Sequence, residues 1–290
     1  MLKADKLMYE TIQRILKEGF KDENPRPRWK DGTPAHTYSV NHVIHQYDIY
    51  RGEFPITTLR PIAVKNGIGE ILAIYQGQTN VLDDFRDQYG FDWWRDWESK
   101  DQPGTIGQRY GATVAKYDLM NKLLKDLKND PFGRRHIISL WQESDFQETD
   151  GLMPCAFQTI WNVRKWKGEM FLDLMLTQRS SDWLVAGNIN QMQYVALLMM
   201  VAQHCEYKPG VFTHVMANVQ IYDRHLEQAI LLSRRYEERK ETEDKYGSSL
   251  IISPKLSLKP GKNFYEITKD DFTIDYYSPM KPQLKFEVAI

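Results

Sequence analysis

The sequence predicts a single α+β domain with a sheet packed against helices. Three observations lead to this prediction: segments with apolar residues at helical spacing, extended β-branched and aromatic runs, and one long apolar helix between strands. With 290 residues, 42% hydrophobic and 12% aromatic, the chain can bury one sizeable core. No repeat, low-complexity tract or Gly/Ser-rich linker interrupts it, so we expect one domain over residues 1–290.

The helices are predicted from the spacing of apolar residues. These recur every three or four positions over residues 4–20, and again over residues 119–127 before an Asn-Asp-Pro stop. Residues 188–205 are apolar nearly all round after a polar start, which is typical of a buried helix. A last helix is expected to begin near Asp223, with the charged run 234–247 as its solvated end.

The strands are predicted from extended apolar runs between turn signals. Residues 136–141 and 156–163, a charged turn, and residues 170–178 indicate a strand followed by a hairpin. A further strand is predicted over residues 211–222. Two short strands are expected at the end of the chain, over residues 271–277 and 284–290.

Charge and cysteine usage exclude several classes of protein. Lys and Arg number 38 against 39 Asp and Glu, a net charge of -1, so no bulk field attracts nucleic acid or an anionic membrane. The N-terminus lacks an apolar signal region, and no apolar run approaches the roughly 18 residues of a membrane span. Cys155 and Cys205 lack the spacing of metal ligands. We therefore expect a cytoplasmic protein with free thiols and no metal.

The thiol at Cys155 is the main chemical signal. It directly follows Pro154, at the start of the run "AFQTIWNV", where a cysteine taken alone is most often a small core residue. The adjacent strands bring cations that favour a thiolate: Arg134 and Arg135 precede one, and Arg179 ends the other. These side chains could converge on one anionic ligand, and guanidinium groups match phosphate oxygens.

No common nucleotide-binding or phosphatase motif accounts for this thiol. The "GIGEIL" stretch lacks the third glycine of a dinucleotide loop, and no G-x-x-x-x-G-K-[ST] occurs. The arginine that a phosphatase cysteine loop needs six residues on is also missing.

Taken together, the motifs resemble those of the thymidylate synthases over about residues 31–290. The strongest are "NDPFGRRHIISLW", "MPCAFQ", "QRSSDW", "QIYDRH" and the terminal "VAI", all in one order along the chain. The resemblance implies reductive methylation of dUMP to dTMP, with 5,10-methylenetetrahydrofolate giving both carbon and hydride and with no metal. It also implies a large mixed sheet, with one face at a homodimer interface.

The resemblance assigns roles around the nucleotide. Cys155 is the nucleophile at uracil C6, and Arg179 holds the phosphate and helps keep the thiol ionised. Asn190 pairs with the uracil edge, where an aspartate would favour cytosine. Further contacts to the nucleotide are assigned to Ser180, Asp182, Gln220 and Tyr222. Arg134 and Arg135 match arginines that reach the nucleotide phosphate from the other subunit of the dimer.

Other matches concern proton movement and the folate. Glu70 corresponds to the carboxylate that organises water near O4, and Tyr110 to the phenol linked to removal of the C5 proton. Trp94 and Trp97 lie beside the folate, Asp182 bonds the pterin, and Ile290 is the carboxyl terminus that closes over the ligands.

Departures from the family pattern leave alternatives open. The phosphate-binding arginine of the family's D-R-T-G-T loop is missing from "DGTPAHT", and Arg28 or Lys30 could replace it. Asn188 competes with Asn190 for the uracil edge. A nucleotide hydroxymethylase on the same scaffold, in which water and not hydride attacks the methylene, is the first alternative function. A catalytically inactive nucleotide- or RNA-binding relative is disfavoured, because the thiol and Arg179 are intact.

Overall fold

The computed structural model describes residues 2–247 and 252–290 as an α+β protein with a large mixed sheet, which confirms the predicted fold class. The helices are α1 Lys3–Glu18, α2 Val64–Ile71, α3 Leu82–Asp84, α4 Gly111–Lys116, α5 Leu119–Asn129, α6 Glu143–Glu148, α7 Asn188–His204 and α8 Leu226–Tyr246. The strands are β1 Phe20–Lys21, β2 Thr37–Asp48, β3 Ile137–Ser139, β4 Ala156–Trp166, β5 Glu169–Gln178, β6 Ser181–Asp182, β7 Lys208–Tyr222, β8 Lys255–Leu258 and β9 Phe272–Asp275.

The main sheet joins distant parts of the chain. Its strand order is β1-β2-β7-β5-β4-β3, and β6 pairs with β7 beside β5. The β2–β7 and β4–β5 pairs are antiparallel, whereas β5–β7 is parallel. As a result, the ends of β5 and β7 and the starts of β2 and β4 lie at the same end of the sheet.

The two faces of the sheet differ sharply. Side chains alternate between faces along each strand, and one face is buried beneath helices that include α7, whose apolar residues are buried on every side. On the other face Ile44 is 63% exposed and Ile137 is 47% exposed. Residues paired across the strands continue this open face: Gln46, Thr213, Val215, Met175, Thr177, Gln158 and Ile160.

Most predicted elements are present, with shifted ends. The helices over residues 4–20, 119–127 and 188–205 correspond to α1, α5 and α7. Near Asp223 the chain first forms a 3-10 turn, and α8 then begins at Leu226. Because α8 continues to Tyr246, the charged run 234–247 lies almost wholly within it.

The sequence analysis missed one central strand and predicted another strand that does not form. The twelve-residue strand β2 was not predicted, although it is central to the sheet. Residues 284–290 form no strand; they run as extended chain, packed through Phe286 and Ala289. In the second case alternating apolar residues pack into two separate apolar clusters without joining a sheet.

Candidate active site

A cavity of about 500 Å³ opens at the end of the sheet where β2 and β4 begin and β5 and β7 end. The start of α7, the end of α2, the loop around residues 93–97 and the last residues of the chain complete its wall. The cavity brings together most residues predicted from the sequence: Glu70, Trp94, Trp97, Tyr110, Cys155, Arg179, Ser180, Asp182, Asn190, Gln220, Tyr222 and Ile290.

Cys155 lies just before β4, with its thiol on the cavity wall. Its backbone N–H donates to the Tyr110 hydroxyl over 3.1 Å, and its carbonyl accepts from the Arg179 backbone N–H over 2.9 Å. Burial raises the pKa of the Cys155 thiol, while the positive charges of Arg179 and Arg26 lower it in part. The arginines thus act in the expected direction, but burial outweighs them in the single chain.

Tyr110 is held against this thiol by an unusual backbone conformation. Its φ of 49° lies in the left-handed region, which is strained for a residue with a side chain. The next residue must be small, because a Cβ on Gly111 would lie 2.1 Å from the Thr79 carbonyl oxygen. The Tyr110 ring packs edge-on against Trp94 at a centroid distance of 4.9 Å. The strain therefore places a phenol beside the candidate nucleophile.

Glu70 lies at the end of α2 and is fixed by two donors. Trp94 Nε1 donates to one oxygen over 2.7 Å, and Gln193 Nε2 donates to the other over 2.5 Å. Burial raises the pKa of Glu70, although these hydrogen bonds act against it. A raised pKa brings a carboxyl group closer to the range in which it can both accept and release a proton near neutral pH.

The structure separates the two asparagines that competed for the uracil edge. Asn190 lines the cavity at the start of α7, between Gln178 and Gln193. Asn188 is fully buried away from the cavity, and its amide has no hydrogen-bond partner among residues 2–247 and 252–290. Geometry therefore favours Asn190.

Arg179 is the arginine nearest to the thiol segment. In this structure its guanidinium donates to the carbonyl oxygens of Pro154 (3.0 Å) and Met153 (2.8 Å), the two residues before Cys155. Ser180 donates to Gln220 Oε1 over 3.2 Å, which links β7 to the chain after β5. Backbone and side-chain bonds thus tie the predicted anion-binding residues to the nucleophile's loop.

The N-terminal cation of the cavity is one that the sequence prediction missed. Arg26 lines the cavity and acts electrostatically on Cys155, whereas Arg28 and Lys30 do not line it. A signal was present in the sequence, because Pro25 and Pro27 flank Arg26 and restrict this segment to extended backbone. Arg28 instead exchanges two backbone hydrogen bonds with Ile290, of 2.7 and 3.0 Å.

Arg134 and Arg135 do not join this cavity within their own chain. Both are exposed on the loop before β3, next to Ile137 at the edge of the open sheet face. Within one chain, these two arginines therefore do not lie with Cys155 and Arg179.

The opposite wall of the cavity is aromatic. Trp93, Trp94 and Trp97 line it together with Ile290, and Trp93 was not among the predicted residues. Asp182 lies beneath, where its carboxylate accepts from the Val185 backbone N–H over 3.2 Å. Burial raises the pKa of Asp182 to about 7, against the smaller opposing effects of backbone hydrogen bonds and Arg60. An aromatic wall with a buried acceptor suits an aromatic heterocycle.

Residues 2–247 and 252–290 contain no group of three or more His, Cys, Asp or Glu side chains that could hold a metal ion. In the same residues one helical stretch, Trp183–His204, is long and apolar enough to cross a bilayer. Most of it is buried inside the fold, as in the core helix of a folded domain.

Known proteins match the whole chain. The family model for thymidylate synthase matches residues 7–290. Thymidylate synthases of Streptococcus pneumoniae (strain 70585) and Streptococcus gordonii (strain Challis) are 51% and 50% identical to it, with 100% of each chain covered. The solved structure of thermostable thymidylate synthase A from Bacillus subtilis superimposes with a TM-score of 0.84 at 32% identity, over 99% of both chains.

These matches, together with the fold, define the class of protein as a methyltransferase of nucleotide biosynthesis. The chain belongs to the thymidylate synthase family. This membership confirms the prediction of dUMP methylation to dTMP with methylenetetrahydrofolate as co-substrate, and it does not favour the hydroxymethylase alternative.

Proposed function

We propose that this chain methylates dUMP to dTMP through a covalent bond between the Cys155 sulfur and uracil C6. One observation carries the proposal: the thiol shares a cavity with arginines, with the Asn190 carboxamide and with an aromatic wall. The first two can hold the phosphate and the base of a nucleotide, and the third can hold the folate.

The chemistry explains why a thiol is needed. Uracil C5 is a poor nucleophile, but addition of the Cys155 thiolate to C6 makes an enolate that is nucleophilic at C5. The one-carbon unit of methylenetetrahydrofolate bonds to C5 as its bond to folate N10 opens. Loss of the C5 proton and cleavage of the bond between the methylene and folate N5 then leave an exocyclic methylene on C5 and release tetrahydrofolate. Hydride from this tetrahydrofolate adds to the methylene and expels the Cys155 thiolate from C6, which gives dTMP and dihydrofolate. Tyr110, in contact with the Cys155 backbone, and Glu70 are the groups that we assign to proton movement.

Recognition of the nucleotide uses several kinds of contact. Asn190 offers one donor and one acceptor, which suit O4 and N3–H of uracil. Arg179 and Arg26 bind the phosphate, and Ser180 adds a hydroxyl donor. Gln220 and Tyr222, at the end of β7, hydrogen-bond the ribose; Asp182 forms the boundary with the folate site.

The folate site is assigned to the remaining wall. Trp94 and Trp97 pack beside the ring system, Asp182 accepts hydrogen bonds from the pterin, and Ile290 closes over both ligands. Closure matters because a stray water could capture the reactive methylene before hydride arrives.

We further propose that the enzyme is a homodimer joined through the open sheet face. Its exposed apolar residues include Ile44 and Ile137, and a two-fold axis would place this face against its own copy. Arg134 and Arg135, at the edge of the same face, would then reach the phosphate site of the partner subunit. Residues 1–290 act as one domain in this proposal, in the cytoplasm and without nucleic acid.

A single assay tests the reaction. The protein is incubated with dUMP and methylenetetrahydrofolate, while dihydrofolate absorbance and the mass of the product are followed. We expect dTMP and dihydrofolate in equal amounts. Hydroxymethyl-dUMP with tetrahydrofolate would instead identify the hydroxymethylase, and absence of product would refute both reactions.

Mixed dimers test the shared site. We expect a Cys155→Ala variant and an Arg134→Ala, Arg135→Ala variant each to be nearly inactive as homodimers. After brief denaturation and joint refolding, about half of the dimers are mixed, so roughly a quarter of all sites have neither defect. Activity should return to about that fraction. Confirmed mixed dimers without recovery would show that each subunit uses its own arginines.

A further inference from the structure

A chain of buried hydrogen bonds runs from the Asn190 carboxamide into the core behind the active site. Asn190 Oδ1 bonds Gln178 (3.3 Å), which bonds His214 (2.9 Å). Gln191 then bonds both His214 (3.2 Å) and His45 (2.9 Å). The last link joins His45 to Thr11 over 3.0 Å. We call Gln178, His214, Gln191 and His45 the buried relay.

A backbone carbonyl shows the direction of the first bonds in this relay. The Ser180 carbonyl oxygen can only accept, so the Gln178 group that lies 2.9 Å from it must be the amino group. Gln178 Oε1 therefore faces His214 Nε2, which must carry a proton. If His214 is neutral, its Nδ1 is an acceptor, and Gln191 must present its amino group to it.

The rest of the relay agrees with this direction. Gln191 Oε1 accepts from the Tyr47 hydroxyl over 3.2 Å, which leaves the Gln191 amino group for the two histidines. His214 and His45 are 0% and 3% exposed, and burial lowers the pKa of His214 to about 3 and that of His45 to about 4. Both rings are therefore neutral at neutral pH, with one donor and one acceptor each.

A second backbone carbonyl fixes Asn190 from its other side. Gln193 Nε2 donates to the Gly67 carbonyl oxygen over 3.2 Å, so Gln193 Oε1 faces Asn190 Nδ2 at 3.0 Å. Gln178 and Gln193 together leave Asn190 one amide orientation. A carboxamide turned by 180° exchanges its donor and acceptor, and would then match the edge of cytosine better than that of uracil.

We propose that His214, supported by Gln191 and His45, is a positioning residue that works together with the Ser180 carbonyl to hold Gln178, and through it Asn190, in one amide orientation, and so strengthens the preference for uracil over cytosine nucleotides. The inference rests on the proposed role of Asn190 at the uracil edge. None of the three positioning residues lines the cavity, so they act only through the relay. Buried polar groups of this kind contribute specificity when every member has its partner.

The test compares two substitutions at His214. His214→Leu removes both hydrogen bonds, whereas His214→Gln can still donate to Gln178 and accept from Gln191. Dissociation constants for dUMP and dCMP are measured by calorimetry, and the ratio of the two is the readout. We expect His214→Leu to reduce the preference for dUMP by about ten- to a hundred-fold, and His214→Gln to restore it to within about three-fold of the wild type.

Controls separate positioning from general damage. Phe171 is buried near the start of β5, at the end of that strand away from the cavity, and takes no part in the relay, so Phe171→Leu should leave the ratio unchanged. If His214→Leu weakens both nucleotides equally, His214 is merely structural and the inference is wrong. Should His214→Leu fail to fold, Gln191→Met decides in its place: a wild-type ratio in that variant overturns the inference, and a reduced ratio supports it.

The Asn190→Asp variant separates failure of this inference from failure of the proposed role of Asn190, on which the inference rests. If this variant keeps the wild-type preference for dUMP, the assignment of Asn190 itself is wrong. If it shifts the preference toward dCMP while His214→Leu does not, the base-pairing role stands and only the relay is refuted.

Discussion

The two walls of the cavity are built in different ways. The nucleotide wall comes from the ends of sheet strands and the start of α7, and its side chains are tied to one another by buried hydrogen bonds. The wall assigned to the folate comes from the loop around residues 93–97 and the tail, and its lining residues are mainly aromatic or aliphatic. Where a base must be read, polar groups are fixed in advance; where a large ring must enter and leave, the wall consists of loops.

The largest effect is expected for Cys155, on the wall built from the sheet strands and the start of α7. Cys155→Ala should reduce turnover by roughly 10⁴-fold or more, because the covalent step is lost. Its far-UV circular dichroism and melting temperature should stay close to those of the wild type. With 5-fluoro-dUMP and folate, mass spectrometry should find a covalent adduct on the wild-type chain only.

The other cysteine is the matched control for this substitution. Cys205 is buried at the end of α7, outside the cavity, so Cys205→Ala should retain both turnover and the adduct. An adduct that persists in Cys155→Ala but disappears in Cys205→Ala would show that Cys205, and not Cys155, is the nucleophile.

The next effect concerns Arg26, the cation that the N-terminal segment places in the cavity. Arg26→Ala should raise the KM for dUMP by about ten- to a hundred-fold, because a charged hydrogen bond to the phosphate contributes roughly 1.5–3 kcal/mol. Arg28→Ala removes the same charge two residues away but keeps the backbone bonds to Ile290. Steady-state kinetics should show little change in KM for this control; equal losses in both variants would mean that only net charge matters.

A smaller effect is expected from pH, through the protonation of Asp182. The pKa of Asp182 is raised to about 7, so the carboxylate is ionised above that pH and protonated below it. Because only the ionised form accepts two hydrogen bonds from the pterin, the KM for methylenetetrahydrofolate should rise as pH falls from 8 to 6, by at most about ten-fold per unit. Asp182→Asn should have a high KM without this pH dependence, and a wild-type profile in the variant would contradict the assignment.

The same group predicts a change in stability. Between its ordinary pKa of 3.8 and about 7, folded Asp182 holds a proton that the unfolded chain releases. Its contribution to the free energy of unfolding therefore falls as pH rises through this range. Asp182→Asn should remove that component, so its melting temperature relative to the wild type should increase from pH 4 to pH 8. A constant difference across the range would argue against the raised pKa.

The smallest effect is expected where the two walls meet. Trp94→Phe keeps an aromatic ring but removes the indole N–H that donates to Glu70 over 2.7 Å. The loss of one hydrogen bond of about 1 kcal/mol should lower kcat by roughly three- to ten-fold and leave dUMP affinity nearly unchanged. Trp97→Phe, which removes an indole that has no bond to Glu70, is the comparison. Equal losses in both would assign the effect to packing of the folate wall.

The sequence predicted helices better than central strands, and β2 shows why. Its buried face carries Thr37, Ser39 and His45 beside apolar residues, so the strand lacks the alternation of apolar and polar residues that identifies a half-buried strand. His45 is tolerated there because Thr11 and Gln191 hydrogen-bond its ring. Tertiary partners of this kind cannot be read from local spacing.

The site was predictable to a different extent on its two walls. Residues in continuous motifs, such as Cys155 and Arg179, were assigned to one site from the sequence, and they line one cavity. Arg26 was missed because its neighbours Arg28 and Lys30 offer the same charge, and only the path of the chain distinguishes them. Trp93 was missed for a similar reason, since it stands next to another tryptophan in the same loop.

Helix α7 is apolar on all sides because protein surrounds it on all sides. Before the chain folds, that same surface is open to other unfolded molecules. The segment Trp183–His204 is therefore the part of the sequence most prone to self-association during refolding. The yield of mixed dimers after denaturation should depend steeply on protein concentration, and dilute refolding followed by concentration should give the higher recovery.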